Sequence, residues 1–398
     1  MKILIINHFP LEGSGSGVYT HNLAKELSSM GHEVRVIFPE HTNVEYEGFV
    51  SRTILFNNGY NEEYDLDFNF PCFTSHPRSN NTFYKLSKNQ IYQYVEAFEK
   101  AVNQEVEEFK PDIIHAQHLW ITPYIASKTD VPYVITAHGT DLKGFVKDSR
   151  YHPYALEGTK KASKIITISK QVDREVYELY GVDDDKKQIV MNGYDEDLFL
   201  PLEIDRNQVL KEFGIDSDYK KIVSFAGKLT HFKGVDVLLK AAKIYERDTD
   251  EEVATIIAGN GELYEELNLL KEKLELNNIY FLGHINQKQL VRLFNIADVN
   301  TVPSRTEPFG LVAVEALACG TPVVGTNQGG LPDFITGDVG RLVGVGDDMD
   351  LAYAIIDELI RDDKEERSKA CSKYAKENFS WKHSIVEVED IYKKVLGI

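Results

Sequence analysis

Short β-branched runs separated by longer helical patterns occur in two successive series, and this alternation limits the fold more than any other feature of the chain. The first series is ILIIN, EVRVIF, DIIHAQ, YVITAH, KIITIS and QIVMNG; the second restarts with KIVSFAG and continues through ATIIAG, IYFLG, VNTVPS and PVVGT. Strands that are each followed by a turn and a helix pair in parallel, and a parallel sheet covers both faces with those helices. Two doubly wound α/β domains are expected. The length of 398 residues agrees, since one hydrophobic core rarely supports so long a chain. Strand signals vanish in the polar stretch around Asp195 to Gln208, which places the expected domains at 1–200 and 201–378. The remainder, 379–398, has apolar residues at helical spacing in FSWKHSIVEVEDIYKKVL and reads as a docked terminal helix.

The formal net charge of −19 argues against a general nucleic-acid or anionic-membrane binder, because both need a basic face to displace counterions. One basic run, from Lys143 through Lys147, Arg150, Lys160, Lys161 and Lys164 to Lys170, is interrupted by Asp141, Asp148 and Glu157. It reads as a solvated face offering at most peripheral membrane contact. Cys72, Cys319 and Cys371 are odd in number and far apart, which excludes a disulfide framework and fits a reducing cytoplasm. The N-terminus opens directly into a strand and no apolar run approaches membrane-spanning length, so a cytoplasmic protein is expected.

In open parallel sheets, ligands collect at the carboxyl ends of the strands, so the loops after strands carry the chemistry. The segment SRTEPFGLVAVEALACGTPVVG contains a short helix with no polar face, stopped by Gly320 and Pro322, and such a helix is buried. Its Glu315 must therefore be protonated, paired with a cation, or bonded to the hydroxyls of a visiting ligand. Gly310 leaves the helix start open, and the amides of Phe309, Gly310, Leu311 and Val312 suit a phosphate. Lys228 and Lys233 bracket another strand-to-helix loop and can neutralise a diphosphate without a metal. The first loop, NHFPLEGSGSG, brings Gly13, Gly15, Ser16 and Gly17 to the start of a helix. Its alternating glycines do not match a dinucleotide fingerprint, although Glu40 after the next strand could imitate a ribose-binding acid and keeps a nicotinamide-dependent oxidoreductase as a second reading.

His138 ends a strand beside Gly139-Thr140-Asp141. His115 and His118 read as structural, without carboxylates at metal-ligand spacing. Four Asp-x-Asp pairs, at Asp65/Asp67, Asp183/Asp185, Asp195/Asp197 and Asp348/Asp350, follow no convincing strand, and neither a nucleophile elbow nor a Walker loop is present. The irregular stretch Asn57 to Asn81 is a candidate substrate loop or a surface elaboration, and with Tyr19 and the basic run it is expected to shape the site of an acceptor.

Taken together, Glu307 and Glu315 in an E-x7-E arrangement, GKLTHFKGVDVLL, NGYDEDLF, FLGHINQKQL and the glycine-rich first loop resemble the retaining glycosyltransferases of family 4 across essentially the whole chain. The resemblance implies the GT-B fold, two Rossmann-like domains facing each other across a cleft with the terminal helix crossing back to the first. It implies an acceptor-binding first domain and a nucleotide-sugar-binding second domain. Glu315 would bond the donor ribose and Glu307 would lie against the transferred sugar. Phe309, Gly310, Leu311 and Val312, with Lys228 and Lys233, would hold the diphosphate. His284 and Ile285 would take the base, Gly15, Ser16 and Gly17 would close over the phosphates, and His138 would touch the sugar. No metal or cofactor is implied beyond the co-substrate, best taken as UDP-N-acetylglucosamine or UDP-glucose with GDP-mannose as alternative. The acceptor would be a hydroxyl of a small molecule, glycan or lipid-linked chain. Two departures stand out: Lys228 replaces the family's usual arginine, and Asp333 its frequent glutamate after Gly-Gly-x-Pro.

Overall fold

A computed structural model describes residues 1–74 and 76–398. The chain divides into two compact units, Met1–Asn192 with Trp381–Ile398, and Gly193–Ser380. In the first unit the strands are β1 (Lys2–Ile6), β2 (Glu33–Glu40), β3 (Val50–Leu55), β4 (Ile113–Gln117), β5 (Tyr133–Ala137), β6 (Lys164–Thr167) and β7 (Lys187–Ile189). They form one parallel sheet in the order β3-β2-β1-β4-β5-β6-β7. The second unit has β8 (Lys221–Ala226), β9 (Val253–Ala258), β10 (Ile279–Gly283), β11 (Val299–Val302), β12 (Val323–Thr326) and β13 (Gly340–Val343). Its parallel sheet runs β10-β9-β8-β11-β12-β13.

Both sheets are doubly wound α/β layers, and both reverse direction once, between β1 and β4 and between β8 and β11. At such a reversal the two flanking loops leave toward opposite faces and open a crevice at the strand ends. Two edge strands escaped the sequence reading. VSRTIL of β3 and GRLV of β13 are short and carry polar residues, because an edge strand has a neighbour on one side only.

In the second unit the period-two alternation of β8 sends Val223 and Phe225 to the face covered by the helices Val235–Asp248 and Asp348–Leu359. Ile222 points to the other face, with Leu210 from the helix Arg206–Glu212 and Leu293 from the helix Gln287–Ile296. In the first unit, Ile3, Ile5, Val36 and Ile113 pack against Leu23 of the helix Gly15–Ser29 and against the terminal helix Trp381–Leu396. That terminal helix inserts Trp381, Ile385, Val388, Ile391 and Tyr392, and the Tyr392 hydroxyl bonds His115 Nδ1 at 2.6 Å. Burial pushes the His115 imidazole down to about 3, so this histidine is a neutral packing residue.

Each of those five side chains contributes about 1.5–3 kcal/mol by burial, together on the order of 10 kcal/mol, which rivals the whole stability of a typical domain. A chain ending at Ser380 is therefore expected to keep a protease-resistant second unit while residues 1–192 become cleavable. Limited proteolysis read by mass spectrometry checks this; a truncated chain with both units still resistant would refute it.

Candidate functional site

The reversal in the second sheet positions two loops. The loop after β8 carries Lys228 and Lys233 into the helix Val235–Asp248, and the loop after β11 carries Glu307 into the helix Leu311–Ala318. They are interlocked. Lys233 Nζ lies 2.6 Å from Glu307 Oε2, and Arg305 binds Asp236 through two bonds of 2.7 Å. The Arg305 amide also donates to the Phe232 carbonyl at 2.7 Å. Gly234, with φ of +68°, lets the β8 loop press on Pro303; a Cβ there would sit 2.0 Å from the Pro303 oxygen. The loop after β12 closes the third side. The Gly330 amide donates to the Glu307 carbonyl at 3.0 Å, and a Cβ on Gly329 would fall 1.8 Å from that oxygen. Glu307 is thus fixed at both its backbone and its carboxylate, which also accepts from Ser304 Oγ at 3.2 Å.

The helix Leu311–Ala318 starts after Gly310, whose φ is +104°, and no side chain caps it. Its first-turn amides, at Leu311 and Val312, are left for a ligand or solvent. Gly320 lies just past its end with φ of +87°, as the stop signal required. Glu315 is 8% exposed, and no ion pair forms at it among the described residues. Burial pushes its carboxyl up to about 8, and Asp195 adds to the rise. Among the described residues Glu315 is a buried acid without an ion pair, whereas Glu307 on the same connection is paired.

His284 and Ile285 directly follow β10, with His284 exposed and Ile285 half-buried. The Gly283 carbonyl accepts from Gly259, and Asn260 accepts from Leu229, so the Gly259-Asn260-Gly261 turn sits between the ends of β10 and β8. The sequence reading passed over that turn and over the Arg305–Asp236 pair. A glycine-x-glycine directly after a strand was the available signal for the first; nothing local pairs Arg305 with Asp236.

In the first unit Gly15, Ser16 and Gly17 belong to the first turn of the helix Gly15–Ser29. The Gly17 amide already donates to the capping Ser14 Oγ at 3.0 Å, which makes Gly17 a packing position, while Gly15 faces open space. His138 follows β5 and is buried. Tyr19 does not shape an open surface. It is buried between His138 and Trp381, with ring centroids 5.0 and 5.4 Å away.

In the Asn57 to Asn81 stretch, of which residue 75 lies outside the described residues, Phe68, Phe70 and Phe73 are buried, the first two against Phe56, while Tyr60 and Tyr64 are exposed. Arg78 of this stretch grips Glu40 at 2.6 and 2.9 Å, so the acid expected to imitate a ribose-binding residue is already paired. The basic run is likewise dispersed, with Arg150 turned onto Asp148 and Lys164 onto the Asp185 carbonyl. Among the described residues, no group of three His, Cys, Asp or Glu side chains has the geometry of a metal site, and no helix is long and apolar enough to cross a membrane.

Residues 13–198 match the family model described as Glycosyltransferase Family 4, and residues 205–378 match Glycosyl transferases group 1. D-inositol 3-phosphate glycosyltransferase of Corynebacterium jeikeium is 32% identical, with 71% of this chain and 72% of that protein aligned. The chain belongs to the family 4 and group 1 glycosyltransferases. A second relative of this glycosyltransferase is N-acetyl-alpha-D-glucosaminyl L-malate synthase of Bacillus anthracis, 28% identical over 100% of this chain and 98% of that one. The fold matches Anabaena Alr3699/HepE in complex with UDP and glucose, with a TM-score of 0.75, 20% identity, and coverage of 98% and 99% of the two chains. Such neighbours assign the glycosyltransferase to the GT-B class, whose two Rossmann-like domains correspond to its two sheets.

The Glu315 carboxyl has a testable linkage. Its pKa is raised on folding, so the stabilising protonated form is fully present below the ordinary carboxylate range and is lost as pH rises toward about 8. Wild-type stability in the second unit should fall across that window, and Glu315→Gln should flatten the fall. Thermal melts of the ligand-free glycosyltransferase at several pH values read this directly; parallel curves for the two proteins would show that Glu315 has an ordinary pKa.

Proposed function

We propose that this glycosyltransferase takes a UDP-linked sugar, N-acetylglucosamine or glucose, and transfers it with retention of configuration to a hydroxyl acceptor, without a metal. The observation that carries the reading is Glu315, a buried carboxyl with no cation, set one turn into a helix whose amide end is uncapped. A ligand with an anionic tail and neighbouring hydroxyls satisfies both features at once: the diphosphate takes the Leu311 and Val312 amides, and the ribose hydroxyls donate to Glu315. Lys228 and Lys233 supply the compensating charge, with Phe309 and Gly310 at the entrance. His284 and Ile285 are assigned to the base. The second unit is thus read as the donor domain and the first as the acceptor domain. His138, Gly15 and Ser16 are the first unit's contributions to the sugar and phosphates. GDP-mannose remains the alternative donor.

In the reaction, the bond from the anomeric carbon to the leaving phosphate oxygen breaks, negative charge builds on the diphosphate and positive charge on the ring. Lys228, Lys233 and the helix amides stabilise the first, and Glu307 the second. The acceptor attacks from the face the diphosphate leaves, and a phosphate oxygen takes its proton. No enzymic base is then required. The bond between Lys233 and Glu307 in the ligand-free protein adds one detail. The carboxylate holds the lysine that the diphosphate would claim, so donor binding must loosen that pair.

A thermal-shift screen with UDP-N-acetylglucosamine, UDP-glucose and GDP-mannose tests the reading, since a ligand at 100 times its dissociation constant stabilises by about 2.7 kcal/mol. Glu315→Ala should abolish the shift. Glu307→Gln should lower turnover at least tenfold, roughly the loss of one charge-stabilising contact, while strengthening UDP binding because Lys233 is released. Weaker UDP binding in Glu307→Gln would place Lys233 away from the diphosphate. A strict requirement for Mg²⁺, seen as activity lost in EDTA, would contradict charge compensation by lysines.

A further inference from the structure

The carboxyl ends of β4 and β5 in the first unit hold a group of buried side chains whose arrangement is locally unfavourable. Gln117, the last residue of β4, is fully buried; its Oε1 lies 2.9 Å from His138 Nε2, and its own Nε2 has no partner. His118 is fully buried; its ring nitrogens make no close hydrogen bond, its Nδ1 lying 3.9 Å from Asp141 Oδ2, and its backbone is left-handed at φ of +70°. Asp141, also fully buried, accepts from the Leu119 amide at 2.7 Å and from the His138 amide at 3.2 Å, and so joins the loops that follow the two strands. An unsatisfied buried polar atom destabilises the fold, and a left-handed non-glycine residue adds to that cost. Leucine at 117 and glycine at 118 would avoid both. Departures of this kind persist where the geometry they impose is used.

What these residues share is the His138 ring. Gln117 meets its Nε2, Asp141 holds its backbone, and the rings of Tyr19 and His118 lie against it at 5.0 and 4.6 Å. Burial, then the neighbouring His118, hold this imidazole well below its usual range against the opposing pull of Asp141; His115 adds slightly to the lowering. Tyr19, the titratable group facing it from the first helix, has its hydroxyl pushed up to about 12 by burial and stays neutral. Trp381 of the terminal helix, behind Tyr19, does not titrate. A neutral imidazole carries one proton on one of two nitrogens, and an acceptor opposite Nε2 selects that nitrogen.

We infer that Gln117 and Asp141 are positioning residues that hold His138 as its Nε2–H tautomer, so that Nδ1 is presented as a hydrogen-bond acceptor for a hydroxyl of the transferred sugar. The functional half of this statement rests on the assignment of His138 to the sugar. The tautomer does not. It follows that His138 selects sugars by requiring a hydroxyl donor, and that a sugar lacking that hydroxyl leaves the Nδ1 lone pair without its donor.

The test uses the full chain with histidine labelled by ¹⁵N in the imidazole, read by long-range ¹H–¹⁵N spectra, with His138 assigned by the signal missing in His138→Gln. The wild type should show the Nε2–H pattern and no titration between about pH 5.5 and about pH 8. Gln117→Leu should move the signal toward a mixture of tautomers, and Gln117→Glu should bring its titration into that range. A wild-type Nδ1–H pattern overturns the proposal, as does an unchanged pattern in Gln117→Leu. If Gln117→Leu fails to fold, the wild-type spectrum still decides. Separately, UDP-glucose turnover by Gln117→Leu should fall on the order of tenfold, mainly in kcat. A wild type that neither binds nor turns over any nucleotide sugar would sink the sugar-transfer reading while leaving the tautomer to the spectra.

Discussion

The interlock around Glu307 is the constraint on which the second unit's site depends. Three loops leave the ends of β8, β11 and β12, with no more regular structure than the single 3-10 turns His231–Lys233 and Leu331–Asp333. What holds them is the Glu307 carbonyl taken by Gly330, the Glu307 carboxylate taken by Lys233, and Arg305 chelating Asp236. The first bond joins the loops after β11 and β12, and the other two tie the β11 loop to the β8 loop and to the helix it enters, so the β11 loop is held from both sides before any ligand arrives. Charge stabilisation in a transition state is largest when little has to reorganise, and the Gly330 and Arg305 links would keep the loops in place while the Lys233–Glu307 pair loosens.

The two glutamates of this connection show how environment divides the work of like residues. Glu307 has a lysine and a serine hydroxyl beside it and is held as part of the loop framework. Glu315, within the following helix, has only apolar neighbours on its own turn and a like charge at Asp195, so ionisation costs it free energy. A group in that position gains most from a ligand that brings hydrogen-bond donors. The helix that buries Glu315 also points its unpaired amides outward from the opposite end. One element of eight residues thus offers an acceptor and a set of donors along its length.

How much of this could be read from the sequence depended on how local each cause is. The central strands were legible because burial on both faces demands unbroken β-branched runs, as in β1, β5 and β9. The edge strands β3 and β13 carry no such demand, and Ser51, Arg52 and Arg341 disguised them. Helix signals at Gly310, Gly320 and Pro322 located the helix Leu311–Ala318 because capping is a matter of a few neighbouring residues. Arg305 with Asp236, Arg78 with Glu40 and Gln117 with His138 were illegible because each partner lies on a separate element. The same reason misled the reading of Tyr19, whose place beneath His138 is set by Trp381 from the far end of the chain.

That last contact links folding to chemistry in the first unit. Ile113, His115 and Gln117 lie on one face of β4, and Val134, Thr136 and His138 on the same face of β5, as period two dictates. Going up this face, the composition changes from apolar to polar: Ile113 packs on the terminal helix, His115 bridges Tyr392 and Thr136 at 2.6 and 2.7 Å, and Gln117 meets His138 at the rim. The terminal helix therefore does more than cover a sheet. It fills the lower part of the face with Tyr392, and at the upper part Trp381 backs Tyr19, whose ring lies against His138. A buried polar ladder is costly wherever a member lacks a partner, and the members that lack one, at Gln117 and His118, lie at the top, beside the histidine. The stability of the lower rungs supports the strained geometry of the upper ones, which is how a sheet can hold an imidazole in one orientation at its edge.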